Sequence, residues 1–253
     1  MKRQNNDPDT NIGGPQRNFP KTNSAILAVR SEDPQLQRRA FDTILQSYWK
    51  PVYKYIRIKW RVNNEDAKDL TQGFFANAFE KNHLATYNAS KASFQTFLRT
   101  CVDGFVANQN KAQQRLKRGG GLSIFSLDFT GAESELVLHP PATNLSPEEY
   151  FQREWTRSLF TVAVESLRLS YAQSQHSVRF HIFERYDLDD SPEKLSYNSL
   201  AEEFGLPVTT VNNHLAAARR DFRKILIEKL RQLTATDEEF QLAARALLGI
   251  DAK

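Results

Sequence analysis

From Ser24 to Leu248 the apolar residues recur at steps of three and four, and no stretch alternates apolar with polar over several residues. This pattern restricts the chain most. A period near 3.6 buries one face of a helix, whereas a half-buried strand needs a period of two. The fold class it implies is all-α. Leu36, Ala40, Phe41, Ile44, Leu45 and Tyr48 mark a long amphipathic helix, within which Pro51 is placed to interrupt or restart the run. Asn64-Glu65-Asp66 opens the next helix with negative charge in its first turn, as the helix dipole favours, and Ala67, Leu70, Phe74, Phe75, Ala78 and Phe79 form its apolar face. A third runs from about Ser93 through Phe94, Leu98, Val102 and Val106.

Residues 1–22 carry Asn, Asp, Pro and Gly without apolar periodicity and read as a disordered tail. A helical domain over 23–118 follows, then a linker over 119–146. The segment 119–150 holds Asp128, Glu133, Glu135, Glu148 and Glu149 and no Lys or Arg, so it is acidic. Pro140-Pro141 and Pro147 break any long helix there, while Leu122 to Leu127 and Leu136 to Leu138 are apolar enough to pack on a domain surface. A second helical domain covers 147–235. Thr236-Asp237-Glu238-Glu239 is a capping box that opens a C-terminal extension over 236–253. The expected architecture is two helical domains joined by an acidic linker.

The 253 residues include 34 Lys+Arg and 30 Asp+Glu, a formal charge of only +4. No stretch approaches the roughly 20 apolar residues of a membrane span. The polar start, Met1 to Asn11, lacks the apolar core of a signal peptide, so a cytoplasmic setting without membrane contact is expected. With one cysteine, Cys101, neither an intrachain disulfide nor a cysteine-rich zinc site can form. His83, His139, His176, His181 and His214 show no paired ligand spacing, and no acid cluster suited to Mg²⁺ is visible. The expectation is no metal, no cofactor and no catalytic residue.

The most specific pattern lies at residues 199–218. A helix-turn-helix needs a small residue where its helices cross, a turn residue free to take positive φ, and an apolar face on the second helix. Ala201, Gly205 and the set Leu206, Val211 and Leu215 supply these. The other face then offers Thr209, Thr210, Asn212, Asn213 and His214 to base edges or phosphates. Arg219, Arg220, Arg223 and Lys224 cluster downstream, as phosphate contact requires. A second basic stretch holds Lys50, Lys54, Arg57, Lys59 and Arg61 interleaved with Tyr48, Trp49, Tyr53, Tyr55 and Trp60. Charge that tracks phosphates and rings that stack on bases are the means of single-strand binding. The same rings fall at helical spacing, which equally places them in a core.

Asp66-Ala67-Lys68-Asp69-Leu70-Thr71-Gln72-Gly73-Phe74-Phe75 resembles the polymerase-binding helix of the sigma-70 family of transcription initiation factors. Tyr87 to Phe94 with Phe97-Leu98-Arg99 resembles their promoter-melting segment, and Ser199 to Arg220 their C-terminal helix-turn-helix. Two domains without further ones resemble the extracytoplasmic-function type. Lys117-Arg118-Gly119-Gly120-Gly121, Ser126-Leu127-Asp128 and Pro147-Glu148-Glu149 are similar to one bacterial subgroup. Gly73 departs from the acid that relatives carry there, and Asn212, Asn213 and His214 stand where many have Lys, Ser and Arg.

The resemblance implies a factor that brings RNA polymerase core to chosen promoters. Asp66, Asp69, Leu70, Gln72 and Phe75 would lie on the helix that grips the beta-prime clamp, while the C-terminal domain meets the beta flap. Tyr87, Asn88, Lys91, Ser93 and Phe94 would take the melted strand of the minus-ten element. Thr209, Thr210, Asn212, Asn213, His214, Arg219, Arg220 and Arg223 would meet the minus-thirty-five element in the major groove. An anti-sigma factor or a kinase-linked regulator is a further partner the family implies. The alternative is a stand-alone helix-turn-helix regulator that binds duplex DNA without polymerase.

Overall fold

The computed structural model describes residues 24–113, 127–142, 144–189 and 195–249, and every regular element among them is helical. The expected tail, the basic run Arg115 to Arg118 and the apolar cluster Leu122 to Phe125 lie outside the described residues. The helices are α1 (Ala25–Ala28), α2 (Pro34–Lys59), α3 (Asn64–Glu80), α4 (Phe94–Gln113), α5 (Phe129–Leu138), α6 (Pro147–Gln173), α7 (Ser177–Phe183), α8 (Tyr197–Phe204), α9 (Val208–Gln232) and α10 (Asp237–Leu248). Among the described residues no helix is long and apolar enough to cross a membrane.

The chain divides into two compact units. One is drawn from residues up to Glu154 and from Leu230 onward, the other from Trp155–Lys229. These bounds differ from the sequence division at 118/119, 146/147 and 235/236. The described parts of the acidic segment and of the C-terminal extension both belong to the first unit.

In the first unit α2 is the central element. Ile44, Tyr48, Val52 and Ile56 are all wholly buried along one side. Pro51 does not interrupt it: the helix runs unbroken with Pro51 inside. Proline leaves the carbonyl one turn earlier without its amide donor, a cost of about 3 kcal/mol, and the buried side chains before and after it offset that. Asn63 caps α3 by accepting from the Asp66 N–H at 2.8 Å, with Glu65 and Asp66 in the first turn. Phe75 meets Phe41 of α2 edge-on at 6.3 Å, and Phe74 meets Phe105 of α4 at 5.9 Å. Gly73 is placed where a Cβ would stand 3.2 Å from the Phe105 ring. Any side chain at this position would need the Phe105 ring to give way, so glycine here permits the close approach of α3 and α4.

The described part of the acidic segment is not a free tether. Asp128 caps α5 through the Gly131 N–H at 2.9 Å, and Phe129 lies 5.4 Å from Trp49 and 5.2 Å from Tyr53 of α2. Phe129 and Ala132 make the contact, whereas Val137 and Leu138 remain 70% and 73% exposed. The acids then meet the basic side of α2. Glu133 accepts from Arg57 at 2.5 Å, and Glu135 from Lys50 at 2.8 Å and Lys54 at 2.9 Å. Lys59 bridges Asp103 at 2.9 Å and Glu148 at 3.1 Å. Lys54 and Glu154 pair at 2.5 Å with side chains only 1% and 2% exposed. Hydrogen bonds from Arg57 hold the Glu133 carboxyl below its usual range. Burial, joined by Asp103 nearby, pushes the Tyr55 phenol up to about 12 against the opposing pull of Lys59. The stretch expected to track phosphates therefore has Lys50, Lys54, Arg57 and Lys59 matched internally, and Tyr48, Tyr53 and Tyr55 are core.

In the second unit two apolar clusters form. Leu167, Tyr171, Phe180, Phe183 and Ala218 join α6, α7 and α9. Ile182, Leu200, Ala201, Val211 and Leu215 join α7, α8 and α9. The Tyr171 hydroxyl donates to Asp221 at 2.6 Å, tying the end of α6 to α9.

Candidate nucleic-acid interface

Local chemistry shapes the α8–α9 corner. Ser196 caps α8, accepting from the Ser199 N–H at 3.0 Å. The helix ends at Gly205 with φ of 63°. The Leu206 N–H returns to the Ala201 carbonyl at 2.9 Å and the Gly205 N–H to that of Glu202 at 3.3 Å. This pair of bonds is a Schellman closure, which needs a left-handed residue at its centre. The Pro207 carbonyl then accepts from Thr210 at 2.9 Å and Val211 at 3.1 Å, starting α9 without a side-chain cap. Leu200, Val211 and Leu215 are wholly buried between the two helices, with Ala201 at the crossing. A Cβ on Gly205 would touch nothing, so Gly205→Ala carries only the backbone cost. It is expected to destabilise the unit by about 1–2 kcal/mol, read as a lowered thermal midpoint; an unchanged midpoint would mean the turn relaxes freely.

The apolar side of α9 faces the core, so its opposite side is set by helical period alone. Thr209, Asn212, Asn213, Ala216, Arg220, Arg223 and Lys224 fall on that opposite side, and all are exposed. No acid stands among them. Arg220, Arg223 and Lys224 have no ion pair among the described residues. The side is a stripe of hydroxyl and amide groups followed by three cations, the chemistry that base edges and phosphates accept.

Three of the expected readers lie off this stripe. Thr210 is half-buried. His214 is half-buried too, and its Nδ1 accepts from Arg179 Nε at 3.4 Å. Burial first, and then the Arg179 charge, hold its pKa below the ordinary value, so it favours the neutral form. Arg219 makes a two-pronged contact with Asp187 at 2.8 and 2.9 Å and lies over the Tyr186 ring at 5.4 Å. Sequence reasoning misses Arg179, since α7 shows no spacing that would pair it with His214.

The residues nominated on α3 divide by burial. Asp66 and Asp69 are exposed and Gln72 is half-buried, so these three lie at the surface. Leu70 is 7% exposed and Phe75 wholly buried. These two hold α3 on the unit and do not offer side chains to a partner. The segment 87–94 divides in the same way. Asn88, Lys91 and Ser93 are exposed. Asn88 Oδ1 accepts from the Ser90 N–H at 2.9 Å, and Ser93 Oγ accepts from the Thr96 N–H at 3.3 Å, so both shape the loop. Tyr87 and Phe94 are 1% and 2% exposed, with rings edge-to-face at 5.2 Å. Their rings are packed inward and are not presented for stacking.

No protein-family model, no curated protein and no solved structure matches this chain, so the candidate interface rests on its geometry.

Proposed function

We propose that this protein is a transcription initiation factor of the sigma type, which binds RNA polymerase core and directs it to chosen promoters. In this reading α9 enters the major groove of the minus-thirty-five element. Asn212, Asn213 and Thr209 read base edges there, and Arg220, Arg223 and Lys224 hold phosphates. The first unit supplies the polymerase contact through Asp66, Asp69 and Gln72. It also supplies the minus-ten contact through Asn88, Lys91 and Ser93. The observation that carries the reading is the exposed, acid-free stripe of α9 behind a Schellman-closed turn. The sigma character adds the α3 motif with its acids at the surface.

The experiment is retention of the purified chain on RNA polymerase core, followed by run-off transcription from a promoter library. Asp69→Ala combined with Gln72→Ala is expected to weaken retention by roughly tenfold or more while the circular dichroism spectrum stays unchanged. A wild-type chain that ignores core enzyme yet binds duplex DNA unaided would replace this reading with that of a stand-alone helix-turn-helix regulator.

A further inference from the structure

We propose that α10 is an intramolecular latch on the Tyr87–Phe94 segment, which single-stranded DNA displaces; this rests on the sigma reading above. The contact is built around one carboxylate. Glu239 Oε1 accepts from the Tyr87 hydroxyl at 2.7 Å and from the Phe94 N–H at 3.3 Å. Its Oε2 accepts from the Ala235 N–H at 2.8 Å, which closes the turn that leads into α10. Phe94 is the first residue of α4, so its amide has no partner within the helix and the helix dipole favours an anion there. Glu239 satisfies both demands from a position 145 residues further along the chain.

Two features make the contact releasable. Within α10 the buried residues are Phe240 and Ala244, while Leu242 is 67% exposed. The helix is thus held on the loop by a small apolar anchor and the Glu239 centre, while Arg231 at the end of α9 pairs with Asp237 and lies over the Phe240 ring at 3.9 Å, a contact that does not involve the loop. Second, the groups that Glu239 engages are donors that serve any oxyanion equally well. A strand phosphate offers the same acceptor chemistry as the carboxylate it would replace. In the latched arrangement Asn88, Lys91 and Ser93 face solvent, while the Tyr87 and Phe94 rings are packed against each other, Phe97 and Tyr48. Displacing α10 frees the first amide of α4 beside those exposed side chains, and leaves the Tyr87 hydroxyl to choose between the Ala92 carbonyl, 3.0 Å away, and an incoming acceptor. The latch keeps the free chain from gripping single strands, and contact with a melted promoter opens it.

The test uses the full chain as wild type, Glu239→Ala, Glu239→Gln and Glu238→Ala. Glu238 is exposed and one residue away, so its replacement removes equal charge without touching the loop. Hydrogen–deuterium exchange over residues 87–94 and the anisotropy of a fluorescein-labelled single-stranded DNA of roughly 12 nucleotides are measured together. Glu239→Ala is expected to speed exchange in the loop and raise single-strand affinity roughly fivefold or more. Glu239→Gln keeps an amide oxygen for the same donors and should fall between it and wild type. Glu238→Ala should match wild type. Faster exchange with unchanged DNA affinity, unchanged exchange, or an equal gain from Glu238→Ala would each overturn the latch. Retention of the wild-type chain on core polymerase is scored in parallel. Retained chain with a failed latch test removes the latch alone, whereas unretained chain removes the sigma reading.

Discussion

Glu154→Ala is expected to lower the free energy of unfolding by about 3–5 kcal/mol, measured as a shift in the urea midpoint. Glu154 and Lys54 pair at 2.5 Å with side chains 2% and 1% exposed, so neither charge has water to fall back on. Removing the carboxylate leaves the ammonium buried beside Glu135, whose own side chain is 47% exposed and already shared with Lys50. Attraction across a partly solvated partner is too weak to offset the loss. The double replacement Lys54→Met with Glu154→Leu should recover most of the stability, because it removes both desolvation penalties together. If Glu154→Ala unfolds at the wild-type midpoint, the pair contributes nothing and the burial of α6 on α2 is purely apolar.

The second large effect is on DNA. Replacing Arg220, Arg223 and Lys224 with alanine together should weaken duplex binding across all sequences. The slope of log affinity against log salt should flatten by about 2.7, since each phosphate no longer neutralised removes roughly 0.9. These three cations lie on one face with Asn212 and Asn213, and no acid there competes for them. Arg219→Ala alone should do much less, since Asp187 already holds its guanidinium on both prongs. Asn213→Ala should shift sequence preference while leaving the salt slope unchanged, because an amide reads base edges and carries no charge. Equal losses from Arg219→Ala and the triple variant would place the phosphates on another side of α9.

What the sequence made legible follows from how local each cause is. The α8–α9 corner was readable because its determinants lie within about four turns of helix. Ala201 at the crossing, Gly205 at positive φ and Val211 and Leu215 facing inward all stand where the spacing predicts. The helical class was readable for the same reason. The role of single residues within a motif was less so. Leu70 and Phe75 are apolar whether they meet a partner or the core, and only the packing against Phe41 places Phe75 inside. The fate of the charges was not readable at all. Lys54 and Glu154 are 100 residues apart, and Tyr87 and Glu239 are 152 apart. No periodicity within either segment encodes such a pairing. The basic run on α2 and the acids of α5 and α6 read separately as a nucleic-acid surface and a linker, and together they are one internal seam.

That seam has a consequence for how the molecule meets a polyelectrolyte. Lysines and arginine on α2 that already face carboxylates have few condensed ions left to shed, so a nucleic acid gains little entropy by approaching there. The uncompensated cations of α9 still carry theirs. Between these two basic surfaces a nucleic acid therefore gains more by approaching α9 than the α2 seam even though the formal charge is small, and raising ionic strength should slow capture there well before it loosens the helices beneath.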